Sequence, residues 1–179
     1  MRRLLTDLFS VLFSFFKFII IKFFHPRGFK FRLIERFSPN VVVEIEHGGS
    51  IEMGKRVRAH SGCVFKARRG AKLIVKDEVS FNYRCMVFCK ESVVIESGVE
   101  FGPNVMIYDH DHDFRCDGGI KAGNYKTAPV TIGKNAWIGC NTVILRGTTI
   151  GENAVIAAGS VVKGNVPANS VFIQKRTID

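Results

Sequence analysis

Residues 132–167 read IGKNAW, IGCNTV, ILRGTT, IGENAV, IAAGSV and VKGNVP, a series of consecutive six-residue units. Each unit begins with an aliphatic residue, which is usually followed by Gly or Ala, and has a small or β-branched residue at its fifth position. Neither the 3.6-residue period of an amphipathic helix nor the two-residue period of a simple strand explains this spacing. The units therefore predict a repeat architecture.

The same phase continues upstream in sets of three apolar residues spaced six positions apart: Met53, Ala59 and Phe65, then Val75, Phe81 and Val87, then Ile95, Phe101 and Ile107. Three units per turn form a triangular prism whose first residues point inward, and Gly or Asn near each corner relieves the strain of tight turns. The sequence therefore predicts an all-β protein, a parallel β-helix of about five coils over 53–74, 75–94, 95–131, 132–149 and 150–167. We place this domain at residues 41–179, with an inserted loop at 113–131.

A separate N-terminal segment, residues 1–40, is predicted to form an amphipathic helix and a linker. Thr6, Asp7, Ser10, Ser14 and Lys17 fall within one arc of about 100° on a helical wheel, and the remaining face is apolar and rich in Phe. This pattern favours a helix that contacts a membrane interface, with residues 1–37 as the contact region. Two alternatives stay open: the apolar face packs on its own domain or on oligomer neighbours, or residues 4–24 span a bilayer.

The 179-residue chain has 26 Lys and Arg against 16 Asp and Glu, and the excess is concentrated at the N-terminus. Residues 1–37 contain eight basic and two acidic residues, which gives +6 of the total net charge of +10. A basic, Phe-rich end favours an anionic membrane surface, and we expect no nucleic-acid partner. The five cysteines are odd in number and form no CxxC pair, which is typical of reduced thiols. We therefore expect a cytoplasmic protein, peripheral at the inner face of the membrane.

A polar loop interrupts the repeat between Ile107 and Ile132 and opens with YDHDHD, residues 108–113. Because a solenoid gains no stability from such an insertion, we expect the loop to carry function. His110 and His112 are two residues apart, which places both side chains on one face if the segment is extended. Just after the loop, Trp137 provides an apolar ring that can form a substrate wall.

The stretches FGPNVMI (101–107), DHDH (109–112) and VTIGKNAWIGCNTVILRGTTIGENAVIAAGSVV (130–162) resemble galactoside and maltose O-acetyltransferases and their relatives that acetylate bacterial surface glycans. These proteins are hexapeptide-repeat acyltransferases, and the resemblance implies a left-handed parallel β-helix. It also implies acetyl-CoA as cosubstrate without a metal, and a homotrimer with a saccharide acceptor bound between subunits. Transfer would be direct, to a sugar hydroxyl of a glycan or glycolipid-linked saccharide, with a histidine as the general base.

The resemblance further implies roles for individual residues. Counted from Pro103, the general base falls on His112, and His110 is the alternative because the loop to Trp137 is one residue longer than in the family. The backbone N–H of Cys140 matches the oxyanion donor. The acceptor-contacting positions are Asn82, Tyr108, Lys90 and Trp137; Lys90 stands where the family has an acidic residue, which favours an anionic acceptor. The coenzyme-contacting positions are Ala158, Gly159, Lys163, Lys175 and Arg176.

Three other functions stay open on the sequence: N-acetylation of an amino sugar, a non-catalytic β-solenoid scaffold, and a zinc-dependent hydratase. The zinc alternative needs a third histidine beside His110 and His112, which would have to be His47 or His60. Release of free thiol from acetyl-CoA separates an enzyme from a scaffold.

Overall fold

The computed structural model describes residues 2–32 and 34–175, with the side chains of the N-terminal helix described from Phe9 onward. One long helix, α1 (Arg2–Phe24), precedes a stack of short parallel strands. The strands are two to four residues long and are joined by tight turns, as the six-residue units predict.

The strands follow one another in coils of three. The first coil contains β1 (Phe29–Lys30), β2 (Arg36–Phe37) and β3 (Val42–Ile45). The second contains β4 (Ser50–Met53), β5 (Arg58–Ala59) and β6 (Val64–Ala67). The third contains β7 (Lys72–Val75), β8 (Ser80–Phe81) and β9 (Met86–Cys89), and the fourth contains β10 (Ser92–Ile95), β11 (Glu100–Phe101) and β12 (Met106–Tyr108).

A loop with its own secondary structure follows the fourth coil; it holds β13 (His110–His112), a 3-10 helix (Gly119–Ala122) and β14 (Tyr125–Thr127). The fifth coil contains β15 (Val130–Ile132), β16 (Trp137–Ile138) and β17 (Val143–Ile144). The sixth contains β18 (Thr149–Ile150), β19 (Val155–Ile156) and β20 (Val161–Val162). The partial last coil contains β21 (Asn165–Val166) and β22 (Val171–Phe172).

Equivalent strands of successive coils pair in parallel and form three sheets, one on each side of a prism. Sheet A is β1-β4-β7-β10-β15-β18-β21, sheet B is β2-β5-β8-β11-β16-β19-β22, and sheet C is β3-β6-β9-β12-β17-β20. The register keeps inward residues in line, so that Ile95 pairs with Val75 on one side and with Ile132 on the other. The predicted parallel β-helix is confirmed, although the described residues form about six coils rather than five.

The β-helix begins before residue 41, where the sequence analysis placed the domain boundary. Phe29 in β1 pairs with Ile51, and Phe37 in β2 pairs with Ala59. The described residues of 29–40 therefore belong to the first coil and do not form a linker. Phe31, Phe37 and Val43 continue the six-residue phase, but no Gly or Ala follows them and they lie in a Phe-rich region where the spacing does not stand out.

The inserted loop spans residues 109–129 rather than the predicted 113–131. β13 pairs antiparallel with β14 outside the coils, and the chain is back in register at Val130, which pairs with Val93. The loop begins earlier than predicted because β13, which contains both histidines, pairs with β14 near the end of the loop. Sequence spacing does not reveal this pairing.

The first residues of the predicted units form the core. Each is at most 3% exposed, from Met53 in the second coil to Val162 in the sixth. A column of aromatic rings runs through the lower coils: Phe65 lies 4.8 Å from Phe81, which in turn stacks on Phe101 at 4.7 Å. Left-handed turn residues at the corners include Asn135, Asn153 and Asn169, whose side-chain amides hydrogen-bond to one another from coil to coil. The predicted role of Asn at corners is thus confirmed.

Helix α1 covers the open N-terminal end of the prism. Phe18 is fully buried among Phe29, Phe31 and Phe37, with ring centroids 4.9–5.4 Å away. The Ser14 hydroxyl accepts a hydrogen bond from the Phe37 N–H at 2.8 Å. Because the first coil has no neighbour on this side, the helix occupies the position that a preceding coil would otherwise take.

The polar stripe of α1 faces the first coil, an arrangement that none of the sequence alternatives describes. The Lys17 ammonium donates hydrogen bonds to the carbonyls of Val41 and Pro39, and Lys22 donates to the carbonyl of Phe29 at 2.8 Å. The apolar side of α1 is left exposed. The side chains of Thr6 and Asp7 lie outside the described residues. No helix within the described residues is long and apolar enough to cross a membrane.

Candidate active site

Most of the predicted site residues that the structure describes lie near two different edges of the prism. The groove edge is the corner where sheet B turns into sheet C; it includes Asn82, Cys140 and Ala158. The histidine edge is the corner where sheet C turns into sheet A; it includes Lys90 and the hairpin β13–β14.

Asp109 anchors the histidine edge. Its side chain is completely buried, and its carboxylate accepts hydrogen bonds from the backbone N–H groups of Lys90 (2.8 Å) and Glu91 (2.7 Å). Burial alone would raise the pKa of Asp109, but the donors, with His110 the strongest, outweigh burial and hold the pKa below its usual range. Asp109 is therefore a fixed, charged acceptor inside the protein.

His110 is held by this carboxylate. Its Nδ1 lies 2.9 Å from Asp109 Oδ1, and its side chain is 15% exposed. With Asp109 ionised, Nδ1 carries the proton that is donated to the carboxylate, and Nε2 is left as an acceptor. A neutral imidazole oriented in this way is suited to take a proton from a substrate.

His112 lies next to His110 on the same hairpin without such a partner among the described residues. Both rings contact Tyr125, with centroid distances of 5.5 Å for His110 and 4.5 Å for His112. The side chain of His112 is exposed. The segment is extended, which is the condition under which the two histidines were expected to share a face, and they differ in burial and in hydrogen bonding.

Two basic side chains, Lys90 and Arg146, lie near the histidines among the aspartates of the hairpin. The Lys90 ammonium lies 3.7 Å from the centroid of the Tyr125 ring, and Tyr125 touches both imidazoles. The guanidinium of Arg146 in the next coil donates a hydrogen bond to Asp111 at 2.6 Å. This ion pair ties the hairpin to the β-helix at the residue between the two histidines.

The groove edge carries an apolar groove of about 400 Å³. Its lining residues are Gly102, Pro103, Trp137, Gly139, Cys140, Val155, Ile156, Ala157, Ala158, Val171 and Ile173. Trp137 is 58% exposed and forms one wall of this groove; the family resemblance had placed this ring among the acceptor contacts. A shallow apolar groove of this kind fits a thin, flexible ligand better than a sugar, which needs several polar partners.

The backbone at Cys140 is shaped by two glycines. A Cβ on Gly102 would lie 2.7 Å from the Cys140 nitrogen, and a Cβ on Gly139 would lie 2.5 Å from the Ala158 nitrogen, so only glycine allows the coils to stack this closely. Gly139 N–H and Asn141 N–H donate to the carbonyls of Ile156 and Pro103. Among the described residues, the Cys140 N–H between them has no acceptor, and it lies in the lining of the groove.

The other predicted positions divide between the two edges. Gly159 lies beside Ala158 at the groove edge and donates its N–H to the Cys140 carbonyl at 2.8 Å. Tyr108 and Lys163 lie at the histidine edge, and Tyr108 packs 6.2 Å from His110. Lys175 is exposed beyond β22, and Arg176 lies outside the described residues. The coenzyme positions therefore do not form one cluster within the chain.

Sheet C separates the two edges. Extended chain rises about 3.3 Å per residue, so the run from Cys140 to Arg146 sets the edges roughly 15–20 Å apart. One chain therefore does not place the imidazole of His110 beside the N–H of Cys140. A second copy whose histidine edge lies against the groove edge would bring them together.

Sequence reasoning missed the importance of Asp109, Tyr125 and Arg146. Asp109 directly precedes His110 and lies two residues after the inward Ile107 of β12, so the alternation of side chains along a strand was a usable signal that it points inward. Tyr125 is far from the histidines in sequence, and only the hairpin pairing of His112 with Tyr125 reveals the contact.

Within the described residues, no three or more His, Cys, Asp or Glu side chains gather to hold a metal ion. The five cysteines are free thiols, of which Cys63, Cys85 and Cys89 are buried.

The repeat region is similar to known proteins. Residues 129–164 match the bacterial transferase hexapeptide family (six repeats). A protein of Escherichia coli K12 named for O-acetyl transfer in lipopolysaccharide biosynthesis, WbbJ, is 30% identical over 136 residues, which are 72% of this chain and 69% of that protein. Galactoside O-acetyltransferase of the same organism is 37% identical over 94 residues; they cover 50% of this chain but only 44% of the enzyme.

The fold is also shared with a solved structure. A mutant of AntD, an N-acyltransferase from Bacillus cereus in complex with dTDP and coenzyme A, superimposes with a TM-score of 0.70 at 20% identity, covering 88% of this chain and 87% of AntD. At this identity the likeness concerns the fold. With the repeat match and the coverage of the lipopolysaccharide relative, the chain belongs to the hexapeptide-repeat acetyltransferase family.

Proposed function

We propose that this protein transfers an acetyl group from acetyl-CoA to a hydroxyl of a saccharide. Its family supplies the reaction class, and two relatives are named for O-acetyl transfer, one in lipopolysaccharide biosynthesis and one to galactosides. The observation that carries the proposal is the pair formed by buried Asp109 and His110, with 2.9 Å between carboxylate and Nδ1.

His110 is the general base in this proposal, and His112 takes second place. The His110 Nε2 accepts the proton of the sugar hydroxyl while the sugar oxygen attacks the carbonyl carbon of the thioester. When the tetrahedral intermediate collapses, the carbon–sulfur bond breaks and the proton passes from Nε2 to the departing thiolate. Asp109 holds the ring in its tautomer and stabilises the imidazolium between the two steps.

The groove edge binds the thioester arm. Its apolar lining matches the slender pantetheine chain of acetyl-CoA, with Trp137 and Ala158 on its walls. The free Cys140 N–H donates to the oxyanion that forms on the thioester carbonyl. Exposed Lys163 and Lys175 are available to the phosphates of the coenzyme, and we keep Arg176 as a third candidate.

The site is completed between copies of the chain. The separation of the groove edge from the histidine edge supports a closed oligomer. In each subunit interface, here called a seam, the groove edge of one copy lies against the histidine edge of the next. A three-sided prism with one such pair of edges fits a homotrimer with three equivalent seams. Asn82, which lies near Gly102 at the groove edge, is then positioned to contact an acceptor held in the seam.

The acceptor is a sugar that carries a negative charge. The Lys90 ammonium lies over the ring of Tyr125, which contacts both histidines. A cation at this place favours a carboxylate or phosphate on the acceptor. Transfer to an amino group uses the same arrangement, so the acceptor decides between O- and N-acetylation.

Free thiol released from acetyl-CoA tests the proposal, with neutral, acidic and amino sugars offered in parallel. We expect release that depends on an acidic sugar and a product acetylated on oxygen. A folded protein that neither binds coenzyme A nor releases thiol with any acceptor would show a non-catalytic scaffold. Zinc that elemental analysis still finds in the protein after mild chelation would support the hydratase alternative.

A further inference from the structure

The exposed side of α1 is a continuous apolar face. Its members are at least 38% exposed and recur at three- and four-residue intervals: Phe9, Leu12, Phe15, Phe16, Ile19, Ile20, Phe23 and Phe24. Between Phe9 and Phe24 the charged residues are Lys17 and Lys22, and both donate hydrogen bonds to backbone carbonyls on the opposite side of the helix. Eight large apolar side chains on one helix face exceed the scattered exposure that is normal for a protein surface.

The polar side of α1 faces the protein, so the apolar side is the one exposed to solvent. In a helix that packs on its own domain, the apolar side is buried and the polar side is solvated. Here the side chains of Ser14 and Lys17 hydrogen-bond to backbone groups of the first coil, and Phe18 is the aromatic residue of the described helix that is buried in the core. The orientation of α1 is therefore fixed by contacts that leave the larger apolar surface pointing away from the protein.

Exposed basic residues follow α1 in the chain. Arg27 lies in the turn after the helix, Lys30 and Arg32 lie in the first coil, and all three are exposed. Residues 1–37 carry a net charge of +6, from eight basic and two acidic residues. A second copy of the chain placed on this face would bring these like charges together, whereas an anionic bilayer complements them.

We infer that the outer face of α1 docks the protein on the surface of an anionic lipid bilayer. The helix lies flat, with its apolar side chains among the acyl chains near the headgroups and Arg27, Lys30 and Arg32 against lipid phosphates. The β-helix then stands on the membrane by its N-terminal end. This docking is independent of the proposed acetyl transfer, because none of its residues lies in the groove or near the histidines.

Flotation of the full-length protein with vesicles tests the inference. Vesicles of phosphatidylcholine, with and without phosphatidylglycerol, are mixed with the protein and centrifuged. We expect strong partitioning onto the anionic vesicles. The double variant Phe16→Ser, Phe23→Ser should lower the partition coefficient by about a hundredfold, because each phenylalanine contributes about tenfold.

Two further variants control this experiment. Phe114→Ser removes an aromatic ring that is as exposed as Phe16, 62% in each case, but lies in the inserted loop, and it should leave partitioning unchanged. Arg27→Gln with Lys30→Gln should lower binding to anionic vesicles by about tenfold or more and leave binding to neutral vesicles unchanged. Thermal unfolding followed by circular dichroism checks that each variant keeps its β-helix.

The opposite results would overturn the inference. If the wild-type protein stays with the aqueous fraction on anionic vesicles, or the Phe16→Ser, Phe23→Ser variant floats as well as wild type, the face does not bind lipid. If the same variant instead changes the oligomeric mass measured by light scattering without any vesicle binding, the face is covered by another copy of the chain. Neither outcome depends on whether the protein releases thiol from acetyl-CoA.

Discussion

Burial of a single carboxylate distinguishes the two histidines of the DHDH segment. Sequence spacing places both on one face if the segment is extended, and the family resemblance favours His112, because the count from Pro103 reaches it without a gap. The structure adds that Asp109 is buried and lies 2.9 Å from His110, while His112 is exposed. Sequence could nominate the pair, but it could not choose between them, since the choice depends on which residue turns back into the corner.

Replacing His110 should therefore cost more activity than replacing His112. We expect His110→Ala to lower kcat by about a thousandfold, the range that a general base contributes, and His112→Ala to lower it by less than about tenfold. Initial rates of thiol release at saturating acetyl-CoA measure both, and circular dichroism checks that both variants are folded. The reverse ranking would return the role of general base to His112.

Filling the groove should abolish coenzyme binding without unfolding the protein. Ala158 is exposed in the groove wall, so Ala158→Trp puts an indole where we place the pantetheine arm. Ala168 is an exposed alanine at another corner of the prism, and Ala168→Trp is the matched control. Calorimetric titration with coenzyme A should show binding to wild type and to the control, but not to Ala158→Trp. Equal affinities in all three would place the coenzyme elsewhere.

Among the elements, the repeat strands were predictable and the placement of α1 was not. Aliphatic residues that recur every six positions predict the strands, because each of them is the buried inward residue of one side of the prism. The orientation of α1 depends on the unpaired backbone of the first coil, which attracts Ser14 and Lys17. A helical wheel distinguishes a polar and an apolar face, but it does not show which of the two contacts the first coil.

The segment that joins β1 to β2 buries a carboxylate. Glu35 is 3% exposed, and among the described side chains its Oε1 is the buried atom without a hydrogen-bond partner. Burial raises its pKa from 4.5 to about 7. Because the folded protein holds this proton to higher pH than the unfolded chain, the stability associated with Glu35 is fully present below pH 4.5 and is lost as the pH rises through 7.

Glu35→Gln should remove this pH dependence. Well above pH 7, we expect the variant to have a free energy of unfolding higher than wild type by up to about 3 kcal/mol, from 1.36 kcal/mol per pKa unit. Below pH 4.5 the two proteins should be equally stable. Urea unfolding at both pH values measures the difference; a constant difference at all pH values would mean that Glu35 does not titrate in this range.

The whole molecule is a prism whose groove edge and histidine edge lie roughly 15–20 Å apart, too far to meet within one chain. The fold, the loop and the residue types of the site follow from sequence because each is local to one coil or one corner. The family resemblance implied a site shared between subunits, and the structure adds a physical reason for it, the width of sheet C between Cys140 and Arg146. The central claim is therefore that His110 of one copy serves the groove of another.

Complementation between inactive variants tests this claim most directly. His110→Ala has an intact groove and Ala158→Trp has an intact histidine edge, so each pure oligomer should be inactive. In oligomers co-expressed from both genes in equal amounts, about one seam in four pairs an intact histidine with an intact groove, and we predict about a quarter of the wild-type rate of thiol release. Mixed oligomers that remain as inactive as either parent would contradict the account and place the whole site within one chain.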